Sequence, residues 1–100
     1  MEITYRIDKD ILYVSINGRV DASNASDAEA KIIALKKENA DKHLVIDADG
    51  LEYISSAGLR VLLGTHKKMQ RVGFLRLTNV GESVMEVLEM TGFADILEIE

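Results

Sequence analysis

The stretch Asp47-Ala48-Asp49-Gly50-Leu51-Glu52-Tyr53-Ile54-Ser55-Ser56-Ala57-Gly58-Leu59-Arg60-Val61-Leu62-Leu63 decides how this chain of 100 residues is read. It follows Leu44-Val45-Ile46, a short apolar run of the kind found in a strand buried on both faces. The residues after that strand read as a loop. Two serines then stand where an amphipathic helix is expected over about residues 57–71, with Leu59, Leu62, Leu63 and Met69 turned inward. Serine is favoured at such a place because its oxygen accepts a hydrogen bond from an otherwise unpaired helix N–H. Ala57 and Gly58 leave the first turn sterically open, as an approaching protein surface requires.

Working outward, Ile3, Tyr5 and Ile7 alternate with polar residues, which predicts a strand with one buried face. Asp8-Lys9-Asp10 turns into a second alternating run over residues 11–16, so the two form an antiparallel hairpin. Gly18 is expected to end that strand, leaving Arg19-Val20-Asp21-Ala22 as a loop. Ser23 or Asn24 is the expected N-cap of a helix reaching about residue 39, with Ala25, Ala28, Ile32 and Leu35 as its buried stripe.

Downstream, Gly73 closes the second helix and Phe74-Leu75-Arg76-Leu77 forms a strand. Asn79 stands three residues before Glu82, close to a capping box, and opens a helix with Val80, Val84, Val87 and Leu88 on its apolar face. Gly92 is its C-terminal cap after Thr91, and Ile96, Leu97 and Ile99 suggest a last strand. The order ββαβαβαβ predicts an α/β fold, a mixed sheet with an N-terminal β-hairpin and covering helices, as a single domain over residues 1–100.

Composition narrows the function classes. A chain of this length holds one core, and 47% hydrophobic with 29% charged residues is the balance of a folded globule. Absence of cysteine excludes a disulfide framework, a thiolate metal site and a cysteine nucleophile. A net charge of −5 disfavours phosphate backbones, so no nucleic-acid partner is expected. The amino terminus lacks the basic and apolar regions of a signal peptide, and no apolar run approaches the ~18 residues of a membrane span. A cytoplasmic protein with no membrane partner is the expectation.

Tyr53-Ile54-Ser55-Ser56-Ala57-Gly58-Leu59-Arg60 resembles the phosphorylation motif of the anti-sigma factor antagonists, founding members of the STAS domain family. In that family the motif reads Asp-Ser-Ser/Thr-Gly-Leu-Gly after an aromatic–hydrophobic pair. Anchoring on Gly58-Leu59 places the phosphorylated serine at Ser56. Gly18-Arg19-Val20-Asp21 is similar to the family's Gly-x-hydrophobic-Asp element, and Met90-Thr91-Gly92-Phe93 to its late turn, so the resemblance runs along nearly the whole chain. Ser55 replaces the family's aspartate and Ala57 its following hydroxyl residue, which removes a negative charge beside the acceptor.

The resemblance implies a binding module and no catalysis. Unphosphorylated, it would bind an anti-sigma factor with serine-kinase activity; phosphorylation of Ser56 would end that contact, and a serine phosphatase would reset it. Ser55, Ser56, Ala57, Gly58, Arg60 and the loop residue Asp21 are then the expected partner contacts. The other reading of the same resemblance is an unphosphorylated STAS scaffold or transport-complex subunit. Bland readings stand beside these: serines at helix starts are often only caps, Asp21 is equally a loop-to-helix capping acid, and Arg60 an exposed arginine. His43 and His66 have no ligand-spaced companion, so no metal is expected. Asp47 and Asp49 read as the exit from a buried strand. No phosphate-cradling glycine pattern or nucleophile elbow is present, so neither cofactor nor catalytic residue is expected.

Overall fold

Alternation along Leu12, Val14 and Ile16 turns three buried side chains to one face of a long central strand. The computed structural model describes all 100 residues, Met1–Glu100. In chain order the elements are β1 (Glu2–Asp8), β2 (Ile11–Val20), α1 (Ala25–Glu38), β3 (His43–Asp47), β4 (Leu51–Ile54), α2 (Ser56–Met69), β5 (Leu75–Thr78), α3 (Glu82–Met90), a 3-10 turn (Phe93–Asp95) and β6 (Glu98–Ile99). The sheet runs β1-β2-β3-β5-β6, with β4 attached to β2 off that path. β1 and β2 form the expected antiparallel hairpin, Asp8 facing Ile11; all other pairings are parallel. The mixed α/β sheet with its N-terminal hairpin is as expected.

All three helices bury their stripes in one core. Ile32 of α1, Leu59 and Leu62 of α2, and Val84 and Leu88 of α3 join Leu12, Val14, Leu44, Ile46, Leu75 and Leu77 of the sheet. Val45 points to the opposite face, outside that cluster, yet is 3% exposed. Tyr13 and Arg76, its neighbours in the ladder, flank it there. The expectation of a strand buried on both faces therefore holds for β3, without a helix on the second face.

Several local expectations are corrected. The sheet has one more strand than expected, because the supposed loop after β3 contains β4. Gly18 does not end β2: at φ 96, a backbone that glycine adopts freely, it shifts the register and lets Arg19 and Val20 pair onward with β4. β1 has only Ile3 packed against the core, whereas Tyr5 and Ile7 are exposed, because β1 is the sheet edge and α1 seats on β2. Asn79 is not a capping residue. It adopts a left-handed turn (φ 55) and donates its side-chain N–H to Asp47 Oδ1 at 3.1 Å, joining the ends of β5 and β3. α3 instead starts after Gly81, with no side-chain cap, and Gly92 follows Thr91 in the expected left-handed conformation (φ 81). Leu35 and Leu63 are half-buried, and Val61 takes a core place that was not expected of it.

Adjacent residues near the C-terminus give a sharp check on this packing. Leu97 is 5% exposed and Ile96 is 49% exposed. In urea unfolding, Leu97→Ala is expected to cost about 2–5 kcal/mol and Ile96→Ala under about 1 kcal/mol. Equal costs would contradict the placement of the two side chains.

Candidate functional site

The site begins where β2 and β4 run out together. Val20 pairs with Ile54 in parallel, and the Ser55 N–H donates to the Val20 carbonyl at 2.9 Å. Parallel strands deliver their following loops to the same edge, so the Asp21 loop and the start of α2 emerge side by side. Asp21 and Ser55, distant in sequence, thus lie side by side, with the exposed Ser56 and Arg60 following along α2.

The two serines have different surroundings. Ser55 is the N-cap: its backbone is extended (φ −91, ψ 177) and its hydroxyl oxygen accepts from the Gly58 N–H at 3.4 Å, a long bond. Its carbonyl accepts from the Leu59 N–H at 2.9 Å. Ser56, the first helical residue, is exposed and its hydroxyl takes part in no hydrogen bond within the chain. Arg60 is exposed one turn on, at the i+4 spacing that puts it on the Ser56 face. No acidic residue lies in the first turn of α2.

Ala57 and Gly58 serve the interior rather than an outward gap. Ala57 is half-buried against the core, and Gly58 is buried. A Cβ on Gly58 would stand 2.6 Å from Ile54 Cγ1 and 2.9 Å from Val20 Cγ1, so only glycine lets the helix close on the strand ends. The expectation of an open first turn is corrected in this respect: the opening lies at Ser56, above the small residues.

The neighbouring loop is held by its own side chains. Asp21 Oδ1 accepts from the Ser23 N–H at 2.9 Å and the Ser23 hydroxyl at 2.6 Å. Asn24 occupies the N-cap position of α1 without capping it. Its Oδ1 accepts from the Asp21 N–H and its side-chain N–H donates to the Arg19 carbonyl, both at 2.9 Å. The Ser23 hydroxyl, then the Ser23 backbone N–H, holds the Asp21 carboxyl below its ordinary range, with Arg19 helping and desolvation opposing. Across the strand pair, the Arg19 guanidinium lies 4.2 Å from the Tyr53 ring centroid. Neither Asn24's role nor the Arg19–Tyr53 contact was found from sequence; the latter becomes visible only once β4 is known to pair with β2.

Nothing here suits a metal: no group of three or more His, Cys, Asp or Glu could hold one. His43 stacks on Phe74 at 4.2 Å and accepts from the Phe74 N–H through Nδ1, a structural position. Asp47 accepts from the Asp49 N–H at the strand exit. No helix is long and apolar enough to cross a membrane.

This ordering of sheet, paired loops and helix start has known counterparts. The model of the STAS domain family matches residues 2–100. The chain belongs to the STAS domain family. The anti-sigma-B factor antagonist of Bacillus subtilis is 30% identical over 89 residues, covering 88% of this STAS chain and 80% of that protein. The crystal structure of an anti-sigma factor antagonist from Mycobacterium paratuberculosis superposes with a TM-score of 0.88 at 22% identity, over 98% of this chain and 83% of that one. The Bacillus cell fate determinant SpoIIAA, solved in its phosphorylated form, gives 0.73 at 17% identity over 99% and 91% of the two chains.

Two measurements test this STAS site. Gly58→Ala is expected to destabilise the fold by about 1–3 kcal/mol. Combined with Ile54→Ala, which removes the atom nearest the new methyl, it should cost less than the sum of the single variants. Additive costs would show that the close approach does not constrain α2. For Asp21, the folded-state pKa lies below the unfolded value, so its carboxylate contributes stability above the unfolded pKa and loses it as pH falls through the folded one. In a carboxyl NMR titration, Ser23→Ala should raise the Asp21 midpoint towards the ordinary range; an unchanged midpoint would remove Ser23 as the cause.

Proposed function

We propose that this STAS domain is an anti-sigma factor antagonist, a regulatory binding module of the cytoplasm, switched by phosphorylation of Ser56. The observation that carries this reading is the division of labour between the serines. Ser55 caps the helix, so the Ser56 hydroxyl is exposed and engaged in nothing else. The likeness to proteins named anti-sigma factor antagonists supports an anti-sigma factor as the class of partner; in this reading that partner carries serine-kinase activity, and a serine phosphatase reverses its action.

The switch follows from charge and from the shape of the site. Phosphate would add about −1.5 to −2 charges at a helix N-terminus, where free N–H groups and the dipole favour an anion. No first-turn acid opposes it, and Arg60 lies on the same face. The fold therefore accommodates the group. A partner seated over Ser56 could not, because it would bury a dianion without a counter-charge. Asp21, Ser55, Ser56 and Arg60 form the contact surface in this reading, with Ala57 and Gly58 setting its shape from beneath. The chain supplies no catalysis.

Incubation with a serine-kinase anti-sigma factor and ATP, followed by mass-spectrometric mapping, is expected to find phosphate on Ser56. Ser56→Ala should abolish the label, and Ser56→Glu should weaken binding of that partner at least about 30-fold. Undiminished label in Ser56→Ala would overturn the assignment. Binding of Ser56→Glu at full strength would overturn the interface-blocking switch.

A further inference from the structure

The two edges of the sheet are finished differently. β6 has two residues and is tied down by Arg76, whose Nε lies 2.9 Å from Glu98 Oε1 and 3.4 Å from Glu100 Oε2. β1 has seven residues and nothing beside it. An unpaired strand of that length is a template for another strand. Because Asp8 faces Ile11 across a two-residue turn, the even residues of β1 direct their backbone groups to β2. The N–H and C=O groups of Ile3, Tyr5 and Ile7 therefore point outward, to the open edge.

The side chains along this edge are sorted by face. On one face Met1, Tyr5 and Ile7 are 39%, 56% and 46% exposed, in line with half-buried Ile3. On the other stand Glu2, Thr4, Arg6 and Asp8. Glu2 and Arg6 have no ion-pair partner within the chain; the Arg6 guanidinium lies over the Tyr13 ring, 3.9 Å from its centroid.

We propose that a second copy of this chain occupies the edge, two β1 strands pairing antiparallel about a two-fold axis at Thr4. A two-fold axis makes each contact occur twice, and the charge pattern selects the register. Centred on Thr4, Glu2 faces Arg6 on both sides of the axis, Ile3 faces Tyr5, and Met1 faces Ile7. Centred on Tyr5, Glu2 would face Asp8, acid against acid; centred on Arg6, the two guanidinium groups would meet. In the Thr4 register the outward backbone groups of Ile3 and Tyr5 bond across the axis. The Glu2–Arg6 pairs then fall at the non-hydrogen-bonded positions, where Cα atoms are about 4.5 Å apart and side chains approach most closely. The result is one sheet continuous through both copies.

A strand pair of this length is small beside a standard interface of about 1,600 Å², so the dimer is a reversible one. Sedimentation equilibrium of the full chain is expected to show monomer and dimer interconverting between micromolar and submillimolar concentrations. Arg6→Glu and Glu2→Arg, each placing like charges opposite at two positions, should each weaken association about tenfold. The double variant Glu2→Arg/Arg6→Glu should restore it. Tyr5→Pro, which removes an outward N–H that no strand of the monomer uses, should abolish association with the circular dichroism spectrum unchanged. A monomer at every concentration overturns the proposal, as does a dimer indifferent to the single substitutions or one that the double variant fails to restore.

Discussion

The close approach of the α2 backbone to Val20 and Ile54 at Gly58 is the constraint on which the rest of the site depends. With no Cβ at that position, the first turn of the helix sits directly on the last side chains of β2 and β4. That seating brings the start of the helix against the end of β4. It is consistent with the short link from β4 to α2, a single residue, and with the Ser55 N–H bonding the Val20 carbonyl. The cap position falls on Ser55 and the first exposed position on Ser56. The separation of a structural serine from a free one is thus a consequence of packing beneath them.

The long strand β2 makes this possible by serving two partners in succession. Its first half, as far as Ser15, pairs with β3 and its last residues, from Gly18 on, pair with β4, the register of that second pairing shifting between Gly18 and Arg19. A strand that stopped at Gly18 would leave Tyr53 and Ile54 of β4 unpaired and remove the ladder that brings the Asp21 loop beside α2. The same glycine that reads as a strand terminator in sequence is what turns the strand towards its second partner. Its cost in chain entropy is offset by the pairing it permits.

This also explains which parts of the fold were legible. β2 and β5 carry clean alternation, β3 a short continuous apolar run and the helices a periodic apolar stripe, and these signals survive because each element packs against the core. β4 has Leu51 and Ile54 buried with Glu52 and Tyr53 exposed between them, neither alternating nor continuously apolar. No period-2 signal can arise from four residues whose two inner positions both face outward. Asn79 misled for another reason: asparagine suits a helix cap and a left-handed turn equally well, and the deciding partner, Asp47, lies 32 residues away. For the site, Ser56 and Asp21 were readable through resemblance, whereas their adjacency rests on the β2–β4 ladder that local pattern does not reveal.

The exposed Ser56 stands above the core without being part of it, and this bears on how the proposed phosphorylation would act. The largest fully buried side chains, Leu12, Leu44, Ile46, Leu88 and Val14, lie on the strands and α3, and none belongs to the first turn of α2. Ser56 contributes no hydrogen bond that a phosphate would break, and the helix end on which it stands favours an anion. A change of charge there leaves the determinants of the fold untouched and alters what the surface presents. Conversely, a Cβ on Gly58 beneath it would force the helix or the Ile54 and Val20 side chains to shift. In the proposed switch, such a surface would respond to phosphorylation by changing a partner's affinity far more than its own conformation, because the energetic penalty would arise only when a second protein removes the dianion from water.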